Sequence, residues 1–177
     1  TKQLNSNDSQ PEGTNANGIT AFNSDGFVIG TQPEMSSNGK TFASWNWKAG
    51  GAGSANTDGS TSSTVSVNDT AGFSIVSYVG NSTNSTVGHG LSTAPKMIIF
   101  KNTNDTASWR VAHDSIGWNK SLFLDNTNAT QTEPTYFNST APTNQVFYLG
   151  TNGGANNSGD NIIAYCFAEK TGYSKFG

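Results

Sequence analysis

The feature that most constrains this chain is a pattern near its start that recurs near its end at a fixed offset of 120 positions. The segment FVIGTQ at 27–32 corresponds to FYLGTN at 147–152, and the match extends without gaps. Both copies read as an apolar strand ending in Gly-Thr, a polar turn closed by Gly and a second strand with bulky residues two apart. Fixed-period self-similarity is typical of repeated units. The other matched pairs are Gly39 with Gly159, Phe42 with Ile162, Trp45 with Tyr165 and Trp47 with Phe167.

We therefore predict a duplicated β-hairpin, at 27–47 and 147–167, with Trp45 and Tyr165 on equivalent inward faces. The alternative is that two hairpins of one sandwich merely look alike.

The repeat also predicts how the chain is organised. Residues 1–50 form an N-terminal arm and hairpin that correspond to the end part of a preceding repeat. Residues 51–71 form a Gly/Ser-rich linker, because Gly and Ser without apolar anchors cannot offset their ordering entropy. Residues 72–177 form a β-sandwich domain. The missing opening strands of the first copy are expected upstream or in a neighbouring molecule, so we do not expect a self-sufficient monomer.

Small polar residues set the fold class. Asn, Thr, Ser and Gly together occupy 86 of the 177 positions. Asn, Ser and Thr divert hydrogen bonds to the local backbone and Gly adds backbone entropy, so all four disfavour helix interiors. Many short β-branched or aromatic runs, such as GFSIVSYVG and NIIAYCFAE, are separated by turn residues. We predict an all-β, antiparallel β-sandwich of the jelly-roll or concanavalin-like kind, with less than about one tenth helix.

Charge and cysteine content exclude several classes. The net charge is −3 and the nine basic residues are scattered, so no patch can neutralise phosphates and we predict no nucleic-acid partner. No apolar run approaches the ~20 residues that span a bilayer, which predicts no membrane insertion. The single cysteine, Cys166, lies in a strand on the same face as Ile162, Ala164 and Ala168, so we predict that it is buried and unpaired.

Four stretches of the chain resemble a known family. They are AGFSIVSYVGN, TVGHGLSTAPKMIIFKN, WRVAH and IIAYCFAEKTGYSKFG, all within 71–177. This part is similar to a domain found repeatedly in virion and tail-fibre-like structural proteins of phages of marine bacteria and cyanobacteria. Residues 19–30 and 42–51 resemble the end of the domain that commonly precedes it. The resemblance implies a sandwich distantly similar to concanavalin-like lectins and assigns no catalytic or binding residues.

A loop at 113–120 contains the best candidate binding residues. Trp118 is flanked by Asn119 and a lysine, and His113 and Asp114 precede it in the same loop. An exposed aromatic ring can stack on a sugar while amides bind its hydroxyls, so these four residues form a candidate carbohydrate site. The ring could equally fold over the sheet as a lid. Trp45, Trp47 and Trp109 lie in strands and are predicted to be core residues.

Other polar residues are better explained structurally. His89 lies between two glycines with no second ligand at metal spacing, so we expect it to cap a tight turn. His113-Asp114 with a serine could imitate a hydrolase trio, but no G-x-S-x-G elbow occurs. Loop aspartates could bind Ca²⁺, but they lack D-x-D-x-D-G spacing and are expected to form turns; they are Asp58, Asp69, Asp105, Asp125 and Asp160. We predict no metal, no cofactor and no catalytic residue.

The sequence thus favours a non-enzymatic structural protein of a phage virion, such as a capsid decoration, fibre or tail appendage, located in the virion or outside cells. Its expected partners are other copies of itself or other virion proteins, and possible host-surface glycans. Two alternatives stay open: a carbohydrate-binding receptor module and a bacterial surface or filament subunit.

Overall fold

The computed structural model of the chain describes residues 1–177. The first strands are β1 (Lys2–Gln3), β2 (Gly13–Thr14), β3 (Ile19–Phe22), β4 (Phe27–Ile29), β5 (Ser54–Asn56), β6 (Ser63–Asn68) and β7 (Phe73–Val79). The later strands are β8 (Ser85–Gly88), β9 (Met97–Asn102), β10 (Arg110–His113), β11 (Lys120–Phe123), β12 (Gln131–Thr132), β13 (Val146–Leu149) and β14 (Asn161–Phe167). The helices are α1 (Pro33–Ser36), α2 (Gly153–Asn156) and a 3-10 turn, η1 (Asp114–Ile116).

One large antiparallel sheet organises the fold. Its strand order is β12-β11-β10-β9-β14-β7-β6-β5. β14 lies at the centre and pairs over its whole length with β7. Its other edge pairs with β9. The alternation of strand side chains puts Ile162, Ala164 and Cys166 on the inner face, where each is at most 1% exposed.

A second layer closes the inner face. It consists of the β8–β13 pair and the loop before β13. The ring of Phe100 on β9 lies 5.2 Å from that of Phe137 and 5.5 Å from that of Phe147 on β13. These rings join the two layers in one continuous core. Only 6% of the chain is helical, so the prediction of an all-β antiparallel sandwich with very little helix is confirmed.

Residues 51–71, which we predicted to be a linker, instead contribute two strands to the sheet. β6 pairs with β7 over six residues, and β5 pairs with β6. Val65 points into the core and is 6% exposed. Two apolar residues, Val65 and Val67, therefore suffice to anchor a Ser/Thr-rich strand against β7, because the backbone pairing does not depend on side-chain type.

The internal repeat is present in the backbone. Asn23 N donates to Gly26 O at 2.8 Å, and Thr143 N donates to Val146 O at 2.9 Å, 120 residues later. The one-turn helices α1 and α2 are separated by the same 120 residues. Gly39 and Gly159 follow them at positive φ, +70° and +83°. A Cβ at Gly30 or Gly150 would collide with the backbone of Asn17 or Thr135, so both copies need glycine after the apolar strand.

The predicted duplicated hairpin is nevertheless wrong in its pairing. β13 pairs with β8 rather than with β14, because a helical turn sends the chain into the other layer. In the first copy β4 pairs with β3, and residues 41–47 form no strand. Trp45 is 77% exposed, whereas Tyr165 stacks on Trp109 on the outer face of the sheet, so the expected inward orientation is also wrong.

The N-terminal arm packs against the outer side of the sheet rather than lying free. Lys101 is fully buried, and its Nζ donates to Ser9 O at 3.0 Å and to Ala107 O at 2.7 Å. Trp109 Nε1 donates to Asn5 O at 2.8 Å. Burial lowers the pKa of Lys101. One backbone carbonyl of the arm, Ser9 O, thus helps to solvate a buried ammonium group, and Asn5 O binds Trp109, so both ends of residues 5–9 are tied to the sheet.

We predict that Lys101→Met releases the arm. A hydrogen bond to a charged group contributes about 1.5–3 kcal/mol, so the amide of Ala107, which donates to Ser9 O, should exchange about ten- to a hundred-fold faster with deuterium. Amides of β14 should keep their protection. The exposed Lys175→Met serves as the control, and unchanged exchange at Ala107 in Lys101→Met would contradict the role of Lys101.

Candidate functional site

Trp118 is not an exposed platform. Its side chain is 8% exposed and belongs to the main core. Its indole Nε1 donates to Asp114 Oδ1 at 3.1 Å. The sequence left two orientations of the Trp118 ring open, exposed to solvent or folded over the sheet. The structure has the ring folded over the sheet. No ring face is available there for stacking on a sugar.

Asp114 is a structural partner of its neighbours. Lys96 Nζ lies 2.7 Å from Asp114 Oδ2, and both side chains are partly exposed. This hydrogen bond, followed by the one from Trp118, lowers the pKa of Asp114. Asn119 accepts a backbone hydrogen bond from Glu133 N at 2.9 Å. The polar groups of the loop therefore form hydrogen bonds that hold Trp118 and the ends of the loop in place.

His113 and Ser115 form a local pair. His113 Nδ1 accepts from Ser115 N at 3.2 Å and lies 2.8 Å from Ser115 Oγ, which caps η1. The Asp114 carboxylate binds Lys96 and Trp118 instead of the His113 ring. The third group that orients the imidazole in a hydrolase trio is thus not in place.

His89 occupies a closed turn, as predicted. It is fully buried; Nδ1 accepts from Leu91 N and Nε2 lies 3.1 Å from Thr143 O, so the neutral ring carries its proton on Nε2. Gly90 has a φ of +72°, and a Cβ at Gly88 would overlap the Asn56 side chain. Burial lowers the pKa of His89 from its usual 6.5.

The loop aspartates accept hydrogen bonds from donors on other segments of the chain as well as from sequence neighbours. Asp69 accepts from both the amide and the hydroxyl of Ser92, and these bonds lower its pKa. Asp160 accepts from the side-chain amides of Asn102 and Asn157. No group of three or more His, Cys, Asp or Glu side chains converges in a way that would hold a metal ion.

The most unusual surface lies in the N-terminal segment. Seven of the ten exposed large apolar side chains fall between residues 22 and 47. We call this set the N-terminal apolar surface: Phe22, Phe27, Val28, Ile29, Phe42, Trp45 and Trp47. Trp45 and Trp47, 77% and 55% exposed, were predicted to be core residues, and that prediction is wrong.

The surface has two faces. The inner groove is a cavity of about 320 Å³ lined mainly by Ile19, Phe27, Ile29, Met35 and Phe42. The outer cleft measures about 1020 Å³. It combines aromatic rings with polar side chains and is lined chiefly by Phe22, Asn23, Asp25, Trp45, Asn46 and Trp47.

Trp47 links this surface to the sandwich. Its ring lies 5.9 Å from Phe167 in an edge-to-face arrangement and 6.4 Å from Phe73. The period-two alternation of 41–47 carries no information on whether anything covers these residues. The repeat held the missing signal, since the strands that cover the second copy come from residues 73–102, and no strand of the structure takes their place beside 41–47.

Comparison with known families places the whole chain in one of them. The matching family model, described as "Domain of unknown function (DUF7483)", covers residues 1–177. The chain belongs to this family. One family model therefore spans both the N-terminal segment and the sandwich. No curated protein and no solved structure matches the chain. Neither four-residue helix has the length or the apolar character of a membrane-spanning helix.

His89 makes stability depend on pH. In the unfolded chain the imidazole takes up a proton below about pH 6.5, whereas in the folded protein burial opposes this. The unfolded state then binds more protons, so the free energy of unfolding should fall as pH drops below about 6.5, by at most about 1.4 kcal/mol per pH unit.

Urea unfolding at pH 7.5 and 5.5 measures this effect. His89→Gln should lower stability at pH 7.5 and flatten the pH dependence, whereas the matched variant His113→Gln should keep the slope. An undiminished slope in His89→Gln would show that another group is responsible.

Proposed function

We propose that the chain is a non-enzymatic structural subunit of a phage virion that assembles with neighbouring subunits through its N-terminal apolar surface. The observation that carries this proposal is the concentration of seven exposed large apolar side chains between residues 22 and 47. Large contiguous apolar patches on a folded protein mark interaction sites. The resemblance of residues 71–177 to domains of phage structural proteins supports the virion as the place of assembly.

The chemistry of the segment favours association over solvation. Between residues 19 and 47 only Asp25, Glu34 and Lys40 carry charge. Exposed extended segments are normally blunted by charge, proline or covering elements to prevent pairing with other chains. Here the aromatic residues of 41–47 are left open, so burial against a neighbour is the favourable state.

Self-association of the intact chain tests the proposal. Sedimentation of the full chain between about 1 and 100 μM should show oligomers, and Trp45→Asp should weaken association at least about ten-fold because it places a charge in a desolvated contact. Tyr173→Asp, at a residue 71% exposed elsewhere, is the matched control and should associate normally. A chain that stays monomeric across this range would overturn assembly through copies of itself.

Point variants are the better tool than removal of residues 1–50. The arm supplies Ser9 O to the buried Lys101 and Asn5 O to Trp109. Its deletion would therefore uncover part of the sheet as well as remove the apolar surface, and loss of assembly could not be separated from loss of stability.

The outer cleft supports a second candidate function, carbohydrate binding. It places the rings of Phe22 and Trp45 beside Asn23, Asp25 and Asn46, the combination of apolar faces and amide or carboxylate groups that we first expected around Trp118. Sugars stack on such rings through their C–H groups while their hydroxyls bind the polar side chains.

A glycan array probed with the full chain tests this candidate. Binding that is lost in Trp45→Ala and kept in Trp118→Phe would support a site in the cleft, since Trp118 is buried. Absence of binding to every glycan, or equal loss in both variants, would count against it.

A further inference from the structure

Residues 41–47 are an extended segment without strand partners. They make no backbone–backbone hydrogen bond, and all seven are exposed. Their equivalent 120 residues later is β14, which is bonded along both edges. The same unit therefore occurs twice in the chain, once with its partners and once without.

The partners of the complete unit come from one contiguous segment. β7 and β9 flank β14, and β8 pairs with β13. These three strands are consecutive and span Phe73–Asn102. Thirty consecutive residues thus supply the strands that pair with both edges of β14 and part of the layer that covers its inner face.

The side chains that the segment covers have direct equivalents in the inner groove. Phe147, Leu149 and Ile162 are 1%, 0% and 1% exposed. The rings of Tyr78 and Phe100 lie 6.0 Å and 5.5 Å from Phe147. The corresponding residues of the first copy are 37%, 41% and 52% exposed; they are Phe27, Ile29 and Phe42.

We propose that the inner groove and the free edges of 41–47 form a docking site for a segment of a neighbouring polypeptide with the strand pattern of residues 73–102. This inference rests on the proposed assembly function and names the partner of one face. Main-chain pairing by strand addition supplies affinity, and alternate side chains in the groove supply specificity.

The occupant is not residues 73–102 of a second copy in its folded state. In every folded molecule of this chain, strands of residues 73–102 are already paired with β13 and β14. The partner must present two strands that run antiparallel to 41–47, one on each edge, and a third strand that covers the groove. It must carry apolar side chains at the positions of Val76, Tyr78, Val87 and Phe100, and must lack bound equivalents of β13 and β14.

A synthetic peptide of residues 73–102, with three lysines added at each end for solubility, is the probe. We expect it to bind the full chain with protection of the 41–47 amides from deuterium exchange. A control peptide with Tyr78→Asp and Phe100→Asp should not bind. Phe42→Asp in the full chain should weaken binding at least about ten-fold, whereas Trp45→Asp, on the other face, should have a smaller effect and Tyr173→Asp none.

Three results would overturn this inference: no binding of the peptide, equal binding of the control peptide, or protection confined to residues 146–167 instead of 41–47. The last would mean that the peptide replaces the chain's own segment. Because self-association is tested separately through Trp45→Asp, loss of peptide binding with intact oligomers rejects only this docking site. Peptide binding by a monomeric chain would reject only self-assembly.

Discussion

The sandwich depends on β14 being bonded on both edges and covered on its inner face. β7 and β9 satisfy its backbone, and the residues at its inner positions, Ile162, Ala164 and Cys166, meet the β8–β13 layer. Each requirement reinforces the other, because a one-residue slip in register would turn the apolar set to the outer face. Burial also raises the pKa of the Cys166 thiol to about 12, so this cysteine acts as a small apolar residue.

The first copy of the unit lacks those partners, and its structure differs accordingly. Its turn, glycines and one-turn helix form with the same hydrogen bonds, because these contacts are local. Its second strand does not form, because strand pairing is not local and no strand lies beside 41–47. Local structure therefore persists without the core, and the apolar residues that would build that core stay at the surface. Assembly and sugar stacking would both cover such residues. The two could occur on different faces, with docking of a partner in the inner groove and sugar stacking in the outer cleft.

Much of the fold could be predicted from the sequence where the signal is local. The repeat, the all-β class, the closed turn at His89 and the burial of Cys166 all rest on spacing and residue type. The wrong predictions concern which other part of the chain covers a residue. Trp45 and Trp47 alternate as core residues do, yet no strand covers them. For Trp118 the sequence left both orientations open, and the structure folds its polar loop onto the core. Residues 51–71 read as a linker because backbone pairing with β7 leaves little trace in Ser and Thr side chains.

The scarcity of charge decides how this protein can recognise a neighbour. The structure contains only three salt bridges, and side chains of Asn, Asp, Ser and Thr instead cap turns and bridge loops, as Asn156 does with Asn81, Thr83 and Gly150. Long-range steering needs clustered charge of one sign, which this surface lacks. Recognition then depends on pairing with unpaired backbone edges and on burial of exposed apolar side chains. Both require direct contact in the correct strand register. Under the assembly that we propose, a partner for the N-terminal segment is therefore selected by the period-two pattern of its strands, and not by its charge.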